Sequence, residues 1–160
     1  MAIPIEESFE VAASIEQVWS YFQDPPQVVP CIPGAELVGV LDEKSYEGIM
    51  KFQLGPVRAK FKGTITIDEI DHQVHVMTLT ARGIQLGAVG QAEAQVRFAC
   101  LSLDDRRTEI GIQANVSIAG KLAQLGGGMI QSVARQLFRE FAECAQHEIL
   151  GEELVEAEDG

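Results

Sequence analysis

Basic residues are scarce in this chain. Twelve lysines and arginines stand against twenty-four aspartates and glutamates, a formal net charge of -12. That balance repels polyanions, so nucleic acid is not expected as a partner. Cysteine is scarcer still: Cys31, Cys100 and Cys144 are an odd number with no close pair. Such usage suits reduced thiols packed as small core residues in a cytosolic protein, not a disulfide framework. Long apolar runs are also missing. The most apolar late segment is interrupted by Gln131, Arg135, Arg139 and Glu140, well short of the ~20 residues a membrane span needs. The N-terminus, Met-Ala-Ile-Pro-Ile-Glu-Glu-Ser-Phe-Glu, has neither the basic start nor the apolar core of a signal peptide, so export is not expected.

The chemistry-bearing residues are equally sparse. His72, His75 and His147 lack Asp, Glu or Cys at metal-ligand spacing, so no metal site is expected. Gly126-Gly127-Gly128 is no phosphate cradle, because a P-loop needs Gly-Lys followed by Ser or Thr and Gly120-Lys121 is followed by Leu122. Glu7, His75 and Arg82 are the acid or base candidates that could face inward, and none has an evident orienting partner. Cys31 in Cys-Ile-Pro-Gly has no base nearby to lower its pKa, so a structural turn is the better reading there. No catalytic residue, metal or cofactor is assigned.

What the chain does hold is apolar alternation. Nearly half of its 160 residues are hydrophobic, enough for one core without metal or disulfides. Ala59, Phe61, Gly63, Ile65 and Ile67 alternate with Arg58, Lys60, Lys62, Thr64 and Thr66; Ala92 to Cys100 and Ile110 to Ile118 repeat the pattern. A period of two marks strands with one buried face, joined here by turn-like links that favour antiparallel neighbours. Strands are placed at 3–11, 35–42, 45–54, 57–70, 73–83, 88–103 and 107–118. After the first, Ser14 and Gln17 form a capping box for a helix that Asp24-Pro25-Pro26 stops; a second short helix or turn runs to Cys31. From Lys121 to about Ile149 the period becomes helical, with the three glycines inside the helix as a bend or close-packing point.

The expected architecture is therefore α+β, in the order βααββββββα. One domain spans residues 1–150, and an acidic, disordered tail occupies 151–160. The inward faces of strands and helix nominate a greasy lining: Trp19, Met50, Phe52, Phe61, Met77, Leu79, Phe98, Ile112, Leu122, Leu125, Met129 and Val133. Pro33 and Gly34 shape its mouth, and Gly126 leaves room beneath the helix. Lys51, Arg58, Lys60 and Lys62 form a basic patch on the opposite face.

This order resembles the helix-grip fold of the Bet v 1-like and START-like superfamily, in which a curved seven-stranded antiparallel sheet wraps a long C-terminal helix. Val18-Trp19, Asp24-Pro25, Cys31-Ile32-Pro33-Gly34, Leu54-Gly55-Pro56-Val57, Phe61-Lys62-Gly63 and Gly120 to Gly126 follow one another in the order found in the carbon monoxide dehydrogenase G-subunit family. The resemblance covers roughly residues 3–148. It implies a non-catalytic protein that holds an apolar or amphipathic small molecule, quinone-like or lipid-like, in an internal cavity. It further implies service to a molybdenum hydroxylase of the carbon monoxide dehydrogenase type, in maturation, membrane association or electron-acceptor supply. The expected partners are that apolar molecule, the hydroxylase subunits and, transiently, a membrane surface. The location would be cytoplasmic, peripheral to the inner face of the membrane, with the oligomeric state open and a homodimer included. The alternatives are a cyclase or dehydratase of polyketides and an assembly factor that acts through its outer surface.

Overall fold

The computed structural model describes residues 2–54 and 56–151. The strands are β1 (Ala2–Val11), β2 (Ala35–Val40), β3 (Ser45–Leu54), β4 (Val57–Asp71), β5 (Val76–Gln85), β6 (Gly90–Asp104) and β7 (Arg107–Gly120). They form one antiparallel sheet in the order β1-β7-β6-β5-β4-β3-β2, so the first strand pairs with the last. Every other neighbour is a hairpin, as the short polar links require. Helices α1 (Ile15–Phe22), α2 (Pro25–Val28) and α3 (Gly127–Leu150) join the sheet through 3-10 turns at Val29–Cys31 and Lys121–Leu125.

Local signals explain where the helices begin. Ser14 is extended and its hydroxyl accepts a hydrogen bond from the Gln17 amide at 3.3 Å, satisfying a donor that the first turn of α1 leaves open. Pro25 and Pro26 occupy the first positions of α2, where a missing N–H costs nothing. The late helix departs from expectation. It does not run unbroken from Lys121, because Gly126 takes a left-handed φ of 85° between the 3-10 turn and α3. Glycine adopts that φ without the Cβ clash that other residues suffer, so the glycine run starts the helix instead of bending it. The fourth of the long strands also begins later than expected, since Asp71 accepts from the Gln73 and Val74 amides and His75 takes φ 58°, which makes 72–75 a turn.

Two apolar clusters fill the concave side. The larger gathers Val11, Trp19, Phe22, Met77, Ile110, Phe141 and Ala145 around α1 and the C-terminal half of α3. Rings interlock there: Phe22 lies 5.3 Å from Phe98 and 6.2 Å from Phe141, and Phe9 meets Phe138 edge-on at 5.6 Å. The smaller gathers Ala59, Phe61 and Leu122 near the start of α3. Along the open edge of β1, Gln131 and Gln146 donate to the carbonyls of Pro4 and Glu10 at 3.0 and 2.7 Å. Those bonds seat the helix and occupy acceptors that an edge strand leaves free.

One expectation is overturned here. Cys31 and Cys144 are joined by a disulfide, with Cα atoms 5.3 Å apart across 113 residues of sequence. Distance along the chain concealed a pair that the fold brings together, and only Cys100 is a free, buried thiol. Of the acidic tail, Gly151 is the left-handed cap of α3, and the rest lies outside the described residues.

Candidate functional site

Beside the smaller cluster, under α3, lies a partly open cavity of about 370 Å³. Its floor comes from β3 to β7: Met50 and Phe52, Phe61 and Ile65, Ala81, Ala92 and Ala94, Val116 and Ile118. Its roof is Leu122 with Ile130, Val133, Ala134 and Leu137 of α3. Val29, Ile32, Ala35 and Leu37 make a side wall, and Ile5 of β1 closes the far side. The surface so enclosed is almost wholly hydrocarbon.

A row of glycines makes that space. Gly48, Gly63 and Gly83 are directly paired across β3, β4 and β5, and all three border the cavity. A Cβ on Gly63 would collide with the Arg82 carbonyl and come within 2.6 Å of the Gly83 Cα. At Gly63 the two strands can approach so closely only because the side chain is missing. Had Leu or Val stood at these positions, they would occupy the cavity themselves.

Five nominated residues line this space together: Met50, Phe52, Phe61, Leu122 and Val133. Leu125 packs beside them against the smaller cluster. Met77, Leu79, Phe98 and Ile112 belong to the larger cluster, which is filled protein core. Trp19 is there too, its indole N–H donating to His72 Nδ1 at 3.0 Å and its ring edge-on to His75 at 5.2 Å. Pro33 and Gly34 lie in the loop before β2, where the Gly34 carbonyl accepts from the Lys51 amide at 2.9 Å, and neither borders the cavity. Gly126 caps α3, and Met129 on its first turn points outward, 45% exposed. Alternation identifies the inward face of a strand; it does not say which length of that face the helices cover. The glycine row and the small alanines of β5 and β6 were missed, although glycine recurring at inward positions of neighbouring strands is a readable sign of open volume.

The cavity's chemistry is as spare as its residues. Arg82 and Glu93 border it, yet their charged groups are exposed and pair with each other at 3.0 Å on the outer side of the sheet. Glu36 borders it as an exposed residue of β2. Glu7 is on the concave side of β1 opposite Ile112, and His75 is in the turn before β5; neither borders the cavity. The thiol of Cys100, pushed up to about 12 by burial, sits in the larger cluster. Tyr21 is likewise held above the ordinary tyrosine range, by burial first and the Glu148 carboxylate second. Among the described residues no group of three or more His, Cys, Asp or Glu could hold a metal ion, and no helix is long and apolar enough to cross a membrane.

The family model for the G-subunit of carbon monoxide dehydrogenase (CoxG) matches residues 8–150. The chain belongs to that family. A solved structure described as a conserved protein from Geobacillus kaustophilus superposes with a TM-score of 0.83 at 25% identity, covering 93% of this chain and 96% of that one. The Zhui aromatase/cyclase from Streptomyces sp. R1128 follows with 0.65 at 13% identity, covering 93% and 94%. A START superfamily protein from Mycobacterium smegmatis gives 0.61 at 16%, covering 92% and 97%. The last two likenesses establish the helix-grip fold. A search of curated proteins returned no match. Membership of the CoxG family and a START-like fold suit a ligand-binding accessory protein, while enzymes also occur on this fold.

Proposed function

We propose that this CoxG family member is a non-catalytic carrier that holds an apolar or amphipathic small molecule, quinone-like or lipid-like, in the cavity under α3. The observation that carries the reading is an apolar space of about 370 Å³ whose bordering ionisable residues among the described ones, Glu36, Arg82 and Glu93, are exposed. Burial alone supplies affinity there: a ligand covering ~300 Å² of apolar area gains about 7 kcal/mol at ~25 cal/mol per Å², before association costs. A cyclase would need a general acid or base within hydrogen-bond reach of its substrate, and the charged groups at the rim point to solvent. The client of the carrier is a molybdenum hydroxylase of the carbon monoxide dehydrogenase type, which the carrier serves in electron-acceptor supply, maturation or membrane association.

The outer surface supports transient contact with an anionic membrane. Ile84, Leu86 and Val89 around the β5–β6 turn are 66%, 44% and 91% exposed. Lys62 is paired with Ile84, the Leu86 amide donates to the Lys60 carbonyl, and Lys51 is paired with Lys60. Exposed apolar tips with lysines on the adjoining strand suit a lipid interface better than bulk water. The carrier reading is tested by mass spectrometry of organic extracts of the purified protein, with a co-purifying quinone or lipid expected. A protein that carries no apolar molecule, and takes none up when added, overturns it. Charge reversal at Lys51, Arg58, Lys60 and Lys62 is expected to reduce sedimentation with phosphatidylglycerol vesicles while leaving ligand content unchanged.

A further inference from the structure

A covalent link lies behind one wall of the cavity, in the larger cluster, where Cys31 is buried and Cys144 packs against it. Cys31 ends the 3-10 turn between Val29 and Ile32, both of which border the cavity, and the chain continues at once into β2 with Leu37 on the same wall. Cys144 is on α3, roughly two turns beyond Leu137 of the roof. The bond therefore clamps a short connecting segment to the helix that covers the ligand space. Hydrogen bonds from this segment run within itself and to β3: Ile32 N–H to Val29, Ala35 N–H to Ile32 and Lys51 N–H to Gly34. Asp24, which precedes α2, makes no side-chain cap. Short, weakly capped segments open locally at low cost, and a covalent tie to a long helix suppresses that opening.

We propose that the Cys31–Cys144 bond is a reversible redox latch on the cavity, slowing ligand exchange when oxidised and freeing the wall formed by 25–37 when reduced. The proposal rests on the carrier reading above. Disulfides in reducing compartments are typically transient and redox-sensing, which is the regime of a cytoplasmic carrier. The two cysteines are unequally exposed: Cys31 is 3% exposed and Cys144 is half-buried. Attack by a dithiol reductant falls on Cys144 Sγ. Its thiolate forms a mixed disulfide there and expels Cys31 as a thiolate, which takes up a proton. The second thiol of the reductant, on losing its proton, displaces Cys144, which is protonated in turn. The reductant leaves as an internal disulfide, so two electrons pass from it to the pair and nothing else is consumed. Cys100, in the same larger cluster as Cys31, has a thiol held protonated by burial and so supplies no thiolate to attack either sulfur.

The test follows release of N-phenyl-1-naphthylamine by stopped-flow fluorescence from the oxidised protein and from protein reduced with a phosphine. In parallel, amide hydrogen exchange is mapped in both states. Reduction is expected to speed probe release by at least about tenfold and to raise exchange selectively over 25–37, because local opening limits both. A Cys31→Ser/Cys144→Ser variant is expected to release at the fast rate with or without reductant, and Cys100→Ala to keep the full redox response. Equal release rates, or equal exchange over 25–37, overturn the latch. Loss of protection throughout the sheet on reduction also overturns it, since the bond would then be a general staple. Failure of either form to take up probe overturns the carrier reading itself, and a latch on ligand exchange falls with it.

Discussion

Replacing Gly63 by alanine adds a single methyl group at the point where β4 presses on β5. That methyl would overlap the Arg82 carbonyl and lie 2.6 Å from the Gly83 Cα, both backbone atoms with no rotamer to yield. The strands must separate there, losing one or two ladder hydrogen bonds at about 1 kcal/mol each. Overpacking adds about 1–3 kcal/mol, and the lower entropy of the unfolded alanine chain returns about 0.4–1 kcal/mol. The sum is a destabilisation of roughly 1–5 kcal/mol, or about 3–15 °C in Tm for a chain of this size. Gly111→Ala is the internal control. It sits in β7 of the same sheet, where an added Cβ meets only the Ala99 carbonyl at 3.9 Å, so it is expected to leave Tm unchanged or slightly raised. Because Gly63 also borders the cavity, the alanine variant is further expected to bind N-phenyl-1-naphthylamine more weakly than Gly111→Ala. Thermal melts followed by circular dichroism, with probe titration below the melt, measure both effects. Equal Tm values for the two variants, within about 2 °C, would refute the claim that glycine at position 63 is enforced by backbone contact.

The remaining expectations concern buried polar groups. Tyr21 has a raised pKa in the fold, so its contribution to stability is complete below the ordinary tyrosine value and is lost as pH rises toward the folded one. Tyr21→Phe should shrink the alkaline loss of stability seen in urea unfolding between pH 8 and 11, leaving only the part due to other groups such as Cys100. At neutral pH it should cost little, because the buried hydroxyl has no hydrogen-bond partner among the described residues; an unchanged alkaline slope would contradict this. Thr108, fully buried, donates to the Ala13 carbonyl at 2.9 Å. Thr108→Val strands that acceptor and is expected to cost about 1–3 kcal/mol in urea unfolding, whereas a loss under ~0.5 kcal/mol would show that the carbonyl finds another donor.

Period and punctuation decided much of this protein before any folding was considered. Over most of Val57 to Ile67, Ala92 to Cys100 and Ile110 to Ile118 the apolar positions are less exposed than the polar ones between them, because a pleated strand turns successive side chains to opposite faces. Ser14 and the prolines at 25 and 26 bounded the first helices through backbone donors that any helix start must satisfy. Motif order placed the chain in its family, and five lining residues were legible as inward and apolar.

Tertiary structure alone decided what lies far apart in sequence. The sheet face is continuous along each strand, but α1 and the C-terminal half of α3 cover only one end of it, so Trp19, Met77 and Phe98 became core while Met50, Phe52 and Phe61 border open space. Gly48, Gly63 and Gly83 matter through register, a relation between strands that no single strand encodes. Cys31 and Cys144 likewise meet only when α3 is laid across the sheet. Local preference acts over a few bonds and can be read residue by residue; empty volume and a disulfide depend on which distant surfaces come into contact.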